Sequence, residues 1–295
     1  MLQYNSCTLC PRACGADRTA GQLGFCRMPG RLYAARAAAH YWEEPPISGS
    51  FGSGAVFFSG CTLRCAFCQN AAISRENFGA ELTPAQLREI FLRLIDDGVQ
   101  NINLVTPTHF LPSILPALEP KLPVPVVYNC GGYESVETLR ELEGKIDIYL
   151  PDYKYSSAAL AQKLSLAPDY PAAADAAIRE MYRQVGGAVI EDEQMKRGLI
   201  VRHLVLPGEV DNSLGALEWF ADAFPAGDVL LSLMCQYIPM GPAKTMPPYD
   251  RRVTETEYAA VLSYMELLGI RNGYTQDFSA ASADYVPAFD LEGIK

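Results

Sequence analysis

Gly60-Cys61-Thr62-Leu63-Arg64-Cys65-Ala66-Phe67-Cys68-Gln69-Asn70 follows the short apolar run Ala55-Val56-Phe57-Phe58. The run reads as a buried strand, and the cysteines are spaced CxxxCxxC. Three thiolates on one tight loop suit a cubane iron–sulfur cluster. Three protein ligands for four irons leave one iron open to a small molecule, so the loop reads as a reactive site. A reactive cofactor at the carboxyl end of a first strand is physically sensible. The alternative is a zinc knuckle, although zinc in a closed site takes four ligands and this loop offers three.

Downstream of the loop, strand and helix signals alternate. Thr83-Pro84-Ala85-Gln86 combines a cap, a first-turn proline and a capping box. Leu87, Ile90, Phe91, Leu94 and Ile95 then make one apolar stripe, and Gly98 ends it. Strands are expected at Ile102 to Val105, Val124 to Tyr128, Ile146 to Leu150, Leu199 to Leu206 and Val229 to Met234. Helices are expected near Pro112 to Leu118, from Glu134, over Ala172 to Gln184 and over Leu214 to Ala223. A second capping box, Thr254 with Glu257, opens a last helix with Tyr258, Val261, Leu262 and Met265 on one face. Counted from Ala55, six strands alternate with helices, which implies βα units and a parallel sheet with right-handed crossovers. The proline-rich segment Pro239 to Tyr249 reads as a loop.

Upstream lies a second cysteine group, Cys7, Cys10, Cys14 and Cys26, spaced C-x2-C-x3-C-x11-C with Gly15, Gly21 and Gly24 between the last two. Four ligands can hold zinc or a second [4Fe-4S] cluster. Little apolar periodicity surrounds them, so a metal would supply much of the folding energy. A transient part in electron delivery and a cap of unligated thiols are the other readings. Cys130 and Cys235 stand alone, and Cys130 reads as a small buried hydrophobe.

The 295 residues are 49% hydrophobic and 20% charged, which fits a compact globular fold. The net charge of −10 argues against bulk nucleic acid binding, which needs dense positive charge. No run approaches the roughly 20 apolar residues of a membrane span, and no export signal is read at the N-terminus. A cytoplasmic location and metal-bound rather than disulfide-bonded cysteines are therefore expected. A dehydrogenase reading fails for want of a strand-linked GxGxxG loop.

The CxxxCxxC loop, with Phe67 as the aromatic before its last cysteine, resembles the radical S-adenosylmethionine (SAM) enzymes. A narrower resemblance covers almost the whole chain. It rests on Cys7-Thr8-Leu9-Cys10-Pro11-Arg12-Ala13-Cys14, Gly21 to Cys26, and His40-Tyr41-Trp42-Glu43-Glu44-Pro45-Pro46-Ile47-Ser48-Gly49. Val105-Thr106-Pro107-Thr108-His109-Phe110 and Leu150-Pro151-Asp152-Tyr153-Lys154-Tyr155 complete it. These stretches are similar to the branch called pyruvate formate-lyase activating enzyme homologues.

The resemblance implies an α/β fold, a partial six-stranded (β/α) barrel. It would span residues 51–295 with a C-terminal extension, behind an N-terminal cysteine-rich cap of residues 1–50. It implies a [4Fe-4S] cluster on Cys61, Cys65 and Cys68 whose open iron takes the amino and carboxylate groups of SAM. Reductive cleavage would give a 5′-deoxyadenosyl radical that abstracts hydrogen from a substrate, such as a glycyl residue of a partner protein or a peptide. The electron would come from a donor such as flavodoxin or ferredoxin.

SAM-binding candidates follow from the strand ends. Thr106 and Thr108 stand where the wider family has Gly-Gly-Glu-Pro, so the acidic residue is missing. Asn129 matches the Asn-Gly stretch of activases. Asp152 and Lys154 match their Asp-x-Lys, with Lys154 suited to the SAM carboxylate. Arg202 interrupts an apolar run and needs a partner; it suits a carboxylate or a buried ion pair. His203 reads as a satisfied core histidine, and Gln236 and Tyr237 as lining the substrate side. Glu43 and Glu44 are read as helping to close the site. The rival classes are an iron–sulfur electron-transfer protein and a zinc-stabilised binding protein.

Overall fold

The alternating apolar runs fold as the spacing predicts. In the computed structural model, which describes residues 2–278 and 287–295, the described strands form one sheet. In chain order they are β1 (Leu32–His40), β2 (Ser53–Phe58), β3 (Ala80–Leu82), β4 (Ile102–Val105) and β5 (Val126–Cys130). Then come β6 (Ile148–Pro151), β7 (Val189–Glu191), β8 (Gln194–Leu204), β9 (Leu230–Met234) and β10 (Gly273–Thr275). The spatial order is β10-β9-β8-β6-β5-β4-β2-β1-β3, with β7 paired to β8. The series β2, β4, β5, β6, β8, β9, β10 is parallel throughout. Strands that follow one another in the chain lie side by side, as in a partial barrel; the order never reverses as in a doubly wound sheet. The six expected strands are all present, and β10 adds a short seventh.

Helices cross between the parallel strands. Thr83 and Gln86 form the expected reciprocal capping box at the start of the helix Pro84–Asp96, which buries Leu87, Ile90, Phe91 and Leu94. Complete burial of Leu87 and Phe91 is worth about 1.5–3 kcal/mol each. Thr254 and Glu257 form the second box at the helix Glu255–Leu267. The helix expected near 112–118 is broken into the short helix Leu111–Ile114 and a 3-10 turn, Leu115–Leu118. Pro116 has no N–H to donate, so the ladder stops there.

The N-terminal boundary differs from the expected division at residue 50. Residues 2–31 contain no helix or strand, but β1 pairs antiparallel with β2 from Ala34–Phe58 to His40–Ser53 and also with β3. Ala37 donates its N–H to the Glu292 carbonyl at 2.8 Å and Leu291 donates to Ala35 at 3.1 Å, so the described C-terminal residues also dock on β1. The sheet therefore begins inside the stretch assigned to the cap.

The period-two alternation of the strands sorts the two sheet faces. Outward residues such as Val56, Leu104, Tyr128, Tyr149 and Val201 join the large cluster under the helices. Inward residues Val127, Ile148, Leu150, Ile200 and Leu230 pack with Ile47 and Met195 into an apolar floor. Above that floor the inward positions become polar: Asn103, Asn129, Arg202 and Ser232. Arg202 stands beside Ser232 in the β8–β9 register and bridges Asp152.

Candidate active site

The carboxyl ends of the parallel strands surround a cavity of about 430 Å³. Cys61, Cys65 and Cys68 all line it, with Phe67, Thr106, Asn129, Asp152, Lys154 and Arg202. The loop that carries the cysteines leaves β2 through Gly60, whose N–H donates to the Ile73 carbonyl at 2.8 Å. Gly60 has φ +82°, and a Cβ there would lie 2.3 Å from Met28 Cγ and 2.8 Å from the Cys26 carbonyl oxygen. Only glycine fits this junction. The proline-rich segment 239–249 braces the loop from the far side: Ala243 donates its N–H to the Ala66 carbonyl at 3.3 Å, and Tyr237 donates its hydroxyl proton to the Tyr249 carbonyl at 2.7 Å.

Hydrogen bonds reach all three sulfurs. The Ser165 hydroxyl donates to Cys65 Sγ at 3.0 Å, the Ser74 hydroxyl to Cys68 Sγ at 3.2 Å, and the Leu63 N–H to Cys61 Sγ at 3.4 Å. Donors to thiolates tune a cluster's potential. Burial pushes the Cys61 thiol up to about 12, with the Cys65 and Cys68 sulfurs adding to it. Burial and the Cys65 sulfur also raise Cys68, against the Ser74 hydroxyl. Both effects reverse when metal cations are ligated, because a coordinating thiol is deprotonated outright. The cavity-facing set therefore fits a cluster. Among the described residues, no three of His, Cys, Asp or Glu converge on a position for a single ion. A cubane takes one thiolate at each corner and does not require such convergence.

Beside the loop lies a buried charge network. Arg202 donates from Nε to Asp152 Oδ1 at 2.8 Å, from Nη1 to Glu43 Oε2 at 3.0 Å, and from Nη2 to Asn129 Oδ1 at 2.6 Å. Lys154 Nζ pairs with Asp152 Oδ2. Asn103 and Asn129 donate to Glu43 Oε1 at 3.1 and 3.0 Å. Burial opposes the Asp152 charge, but Arg202 and Lys154 outweigh it and hold its carboxyl below the usual range. Burial raises Glu43 and Glu44, with Arg202 pulling the other way. Lys154 stays protonated although buried, held by Asp152 and Cys65. One of its N–H bonds is used on Asp152, which leaves two for a ligand.

Thr106 lies in the cavity wall with φ +61°, an outlier for a β-branched residue. Such strain is held by its surroundings and concentrates at functional sites. Thr108 does not share the site. Its hydroxyl donates to Glu134 Oε1 at 2.8 Å in the core, where Tyr128 donates to Glu134 Oε2 at 3.0 Å. The 3-10 turn Thr108–Phe110 rotates it away from the strand end, so its expected cofactor role is corrected. His203 is the satisfied core histidine expected: it meets the Tyr153 carbonyl at 2.7 Å and the Ser213 hydroxyl at 2.9 Å. It alternates with Arg202, so one faces the helices and the other the cavity.

Some side chains around the cavity carry no signal of their own in the sequence. The Glu43 side chain is buried in the charge network, and Glu44 is buried beside it with Oε2 lacking a hydrogen-bond partner among the described residues; only the resemblance pointed to them. Arg12 reaches across from the first segment to the Thr62 carbonyl at 3.0 Å and the Ser165 carbonyl at 2.7 Å. It thus ties the cap to the cysteine loop and to the serine that serves Cys65. Cys130 lines the cavity wall as a buried thiol, and Cys235 lies apart, near the Asp277 carbonyl at 3.5 Å.

Residues 49–110 match a family model described as a 4Fe-4S single cluster domain, which spans the CxxxCxxC loop. The fold is shared with SuiB of Streptococcus suis, at a TM-score of 0.51 and 13% identity over 75% of this chain. The chain spans 49% of the SuiB chain, about half its length. The SuiB structures bound to S-adenosylmethionine and to precursor peptide SuiA superpose with the same score. At this identity the likeness is one of fold. No helix among the described residues is long and apolar enough to cross a membrane. The uncharacterized protein MJ0674 of Methanocaldococcus jannaschii is 30% identical over 273 residues, which cover 89% of this chain and 75% of that protein. With that identity over that length, the chain belongs to the same family as MJ0674.

Proposed function

We propose that the protein is a radical SAM enzyme with its [4Fe-4S] cluster on Cys61, Cys65 and Cys68. The observation that carries this reading is the cavity itself, which joins the three thiols to a buried Lys154–Asp152–Arg202–Glu43 network at the carboxyl ends of the strands. When bound, the cluster supplies the electron that cleaves SAM to methionine and a 5′-deoxyadenosyl radical. The chain's own residues bind and orient. Lys154 offers two N–H donors to a ligand carboxylate, and Asp152 holds its ammonium in place. Arg202, which spends three of its five N–H donors on Asp152, Glu43 and Asn129, is a positioning residue that fixes Asp152 and Asn129. Phe67, packed edge-on against Tyr155 at 6.5 Å and tilted against Tyr237 at 5.9 Å, gives the ligand an apolar wall and excludes water.

SuiB, whose fold the chain shares, has been captured with S-adenosylmethionine and with a precursor peptide. That supports SAM as the cosubstrate and a peptide or protein as the hydrogen donor. The resemblance to activating enzyme homologues supports the narrower reading, a glycyl Cα–H of a partner protein, with flavodoxin or ferredoxin as the electron source.

The test is anaerobic reconstitution with iron and sulfide, then SAM and a strong reductant, with 5′-deoxyadenosine measured by mass spectrometry. Product from the wild type and none from the C61A/C65A/C68A variant is the expected result. No product from wild type with a filled and reducible cluster, even with partner added, would overturn the reading.

A further inference from the structure

Residues 2–31 hold a fixed shape without a helix or strand. Segments of this length without regular structure are uncommon in compact domains. The segment's buried apolar residues are Cys7, Leu9, Cys26 and Met28, two of them cysteines. Apolar burial alone is a thin account of its order.

In its middle lies Arg18, only 1% exposed. Its Nε donates to the Met28 carbonyl at 3.1 Å, Nη1 to the His109 carbonyl at 2.6 Å, and Nη2 to the Pro29 carbonyl at 2.8 Å. The guanidinium also lies over the Tyr4 ring, 4.8 Å from its centroid. Every one of these partners is neutral, and among the described residues no carboxylate pairs with Arg18. An arginine does not give up its proton in a protein. A buried charge without a counter-charge is costly and is normally paired.

The groups placed to supply that counter-charge are cysteines. Arg18 Nη1 lies 3.7 Å from Cys7 Sγ. A Cβ on Gly24 would lie 3.3 Å from Cys26 Sγ, 3.4 Å from Cys14 Sγ and 3.6 Å from Arg18 Cδ, so two more sulfurs flank the same side chain. Cys10 lies within electrostatic range of Cys7 and Cys26. All four are free of disulfides. As thiols they are neutral and answer nothing; as metal ligands they are thiolates. Four thiolates on one divalent zinc carry a net charge of −2.

We propose that Cys7, Cys10, Cys14 and Cys26 form a tetrathiolate centre for a thiophilic metal, and that Arg18 is its buried counter-ion. The described sulfurs do not meet at one point, which a cubane does not require and which a single zinc would bring about by drawing them inward. Cys14 is exposed, and its sulfur already lies beside that of Cys26 across the Cβ position of Gly24. The centre would lie directly behind the reactive loop, because the Cys26 carbonyl packs on Gly60. The inference does not depend on the function proposed for that loop.

The experiment uses the full chain carrying C61A/C65A/C68A, so that any metal left belongs to the first segment. It is loaded separately with zinc alone and with iron and sulfide, desalted, and its metal and sulfide are counted beside its absorbance. Retention of about one zinc, or of about four irons with sulfide and a visible chromophore, supports the centre and says which metal class fills it. Loss of that metal in a chain that also carries C7A/C26A is expected. Retention of neither metal, in a chain that is folded by circular dichroism, would overturn the centre. In chelator competition, Arg18→Gln is expected to release metal at least tenfold faster than the parent and Arg18→Lys to restore much of the difference. Equal release rates for all three would overturn the counter-ion role.

Discussion

Asp152 and Arg202 are joined twice. Their side chains meet at 2.8 Å between Oδ1 and Nε, and their backbones form a parallel bridge where β6 gives way to its loop. The strand register thus sets the ion pair, and the ion pair sets Lys154.

Removing one partner leaves the others buried and unpaired. Arg202→Met is expected to lower stability by about 3–5 kcal/mol, measured by anaerobic urea unfolding. Asp152→Asn in the same background should cost much less than it does alone. A loss below about 1 kcal/mol for Arg202→Met would mean that the network is not coupled as drawn.

Gly60 and Gly98 are both left-handed, with φ +82° and +94°, but only Gly60 is crowded. Gly98→Ala should cost only backbone strain, about 1–2 kcal/mol. Gly60→Ala should cost more and also lose iron during reconstitution, because Met28 and the Cys26 carbonyl occupy the space. Equal melting shifts and equal iron content in the two variants would refute the packing argument.

Thr106 and Thr108 are two residues apart and should behave oppositely. Thr106→Gly relieves a strained φ and is expected to raise stability by about 1 kcal/mol while weakening SAM binding. Thr108→Val strands one oxygen of Glu134 and is expected to cost about 1–3 kcal/mol with SAM affinity unchanged. Thermal melts and equilibrium SAM titration read both. A lower melting point for Thr106→Gly would remove the strain assignment.

His203 gives a pH prediction. Burial first, with Lys154 adding to it, holds its folded pKa near about 4, below the ordinary 6.5. The folded state then binds fewer protons than the unfolded state between those values, so stability falls as pH drops from 6.5 to 4. The slope from this group is about 1.4 kcal/mol per pH unit. His203→Gln should flatten the acid limb of stability against pH by that amount. An unchanged limb would show that the imidazole titrates normally.

Why some features were legible follows from their range. The capping boxes at Thr83 and Thr254 are local, and the six apolar runs carry their burial in their own composition. The Cys61 loop carries its chemistry in its spacing. Strand β1, by contrast, is Leu-Tyr-Ala-Ala-Arg-Ala-Ala-Ala-His, whose alanines favour a helix. It is a strand because β2 and β3 pair with it on either side, and that partnership is invisible along the chain. Only the resemblance placed Glu43 at the site, because Arg202, which donates to it, lies 159 residues away. Arg18 carries no sign of burial in its own neighbourhood, because the carbonyls of Met28, Pro29 and His109 are brought to it only by the fold.

The contact of Gly60 with Cys26 and Met28 also ties the two cysteine groups to one another. The wall against which the Cys61 loop packs is made by the first segment. A change of shape at Cys26 is therefore passed through backbone to the turn that carries Cys61, and the two groups cannot be altered independently.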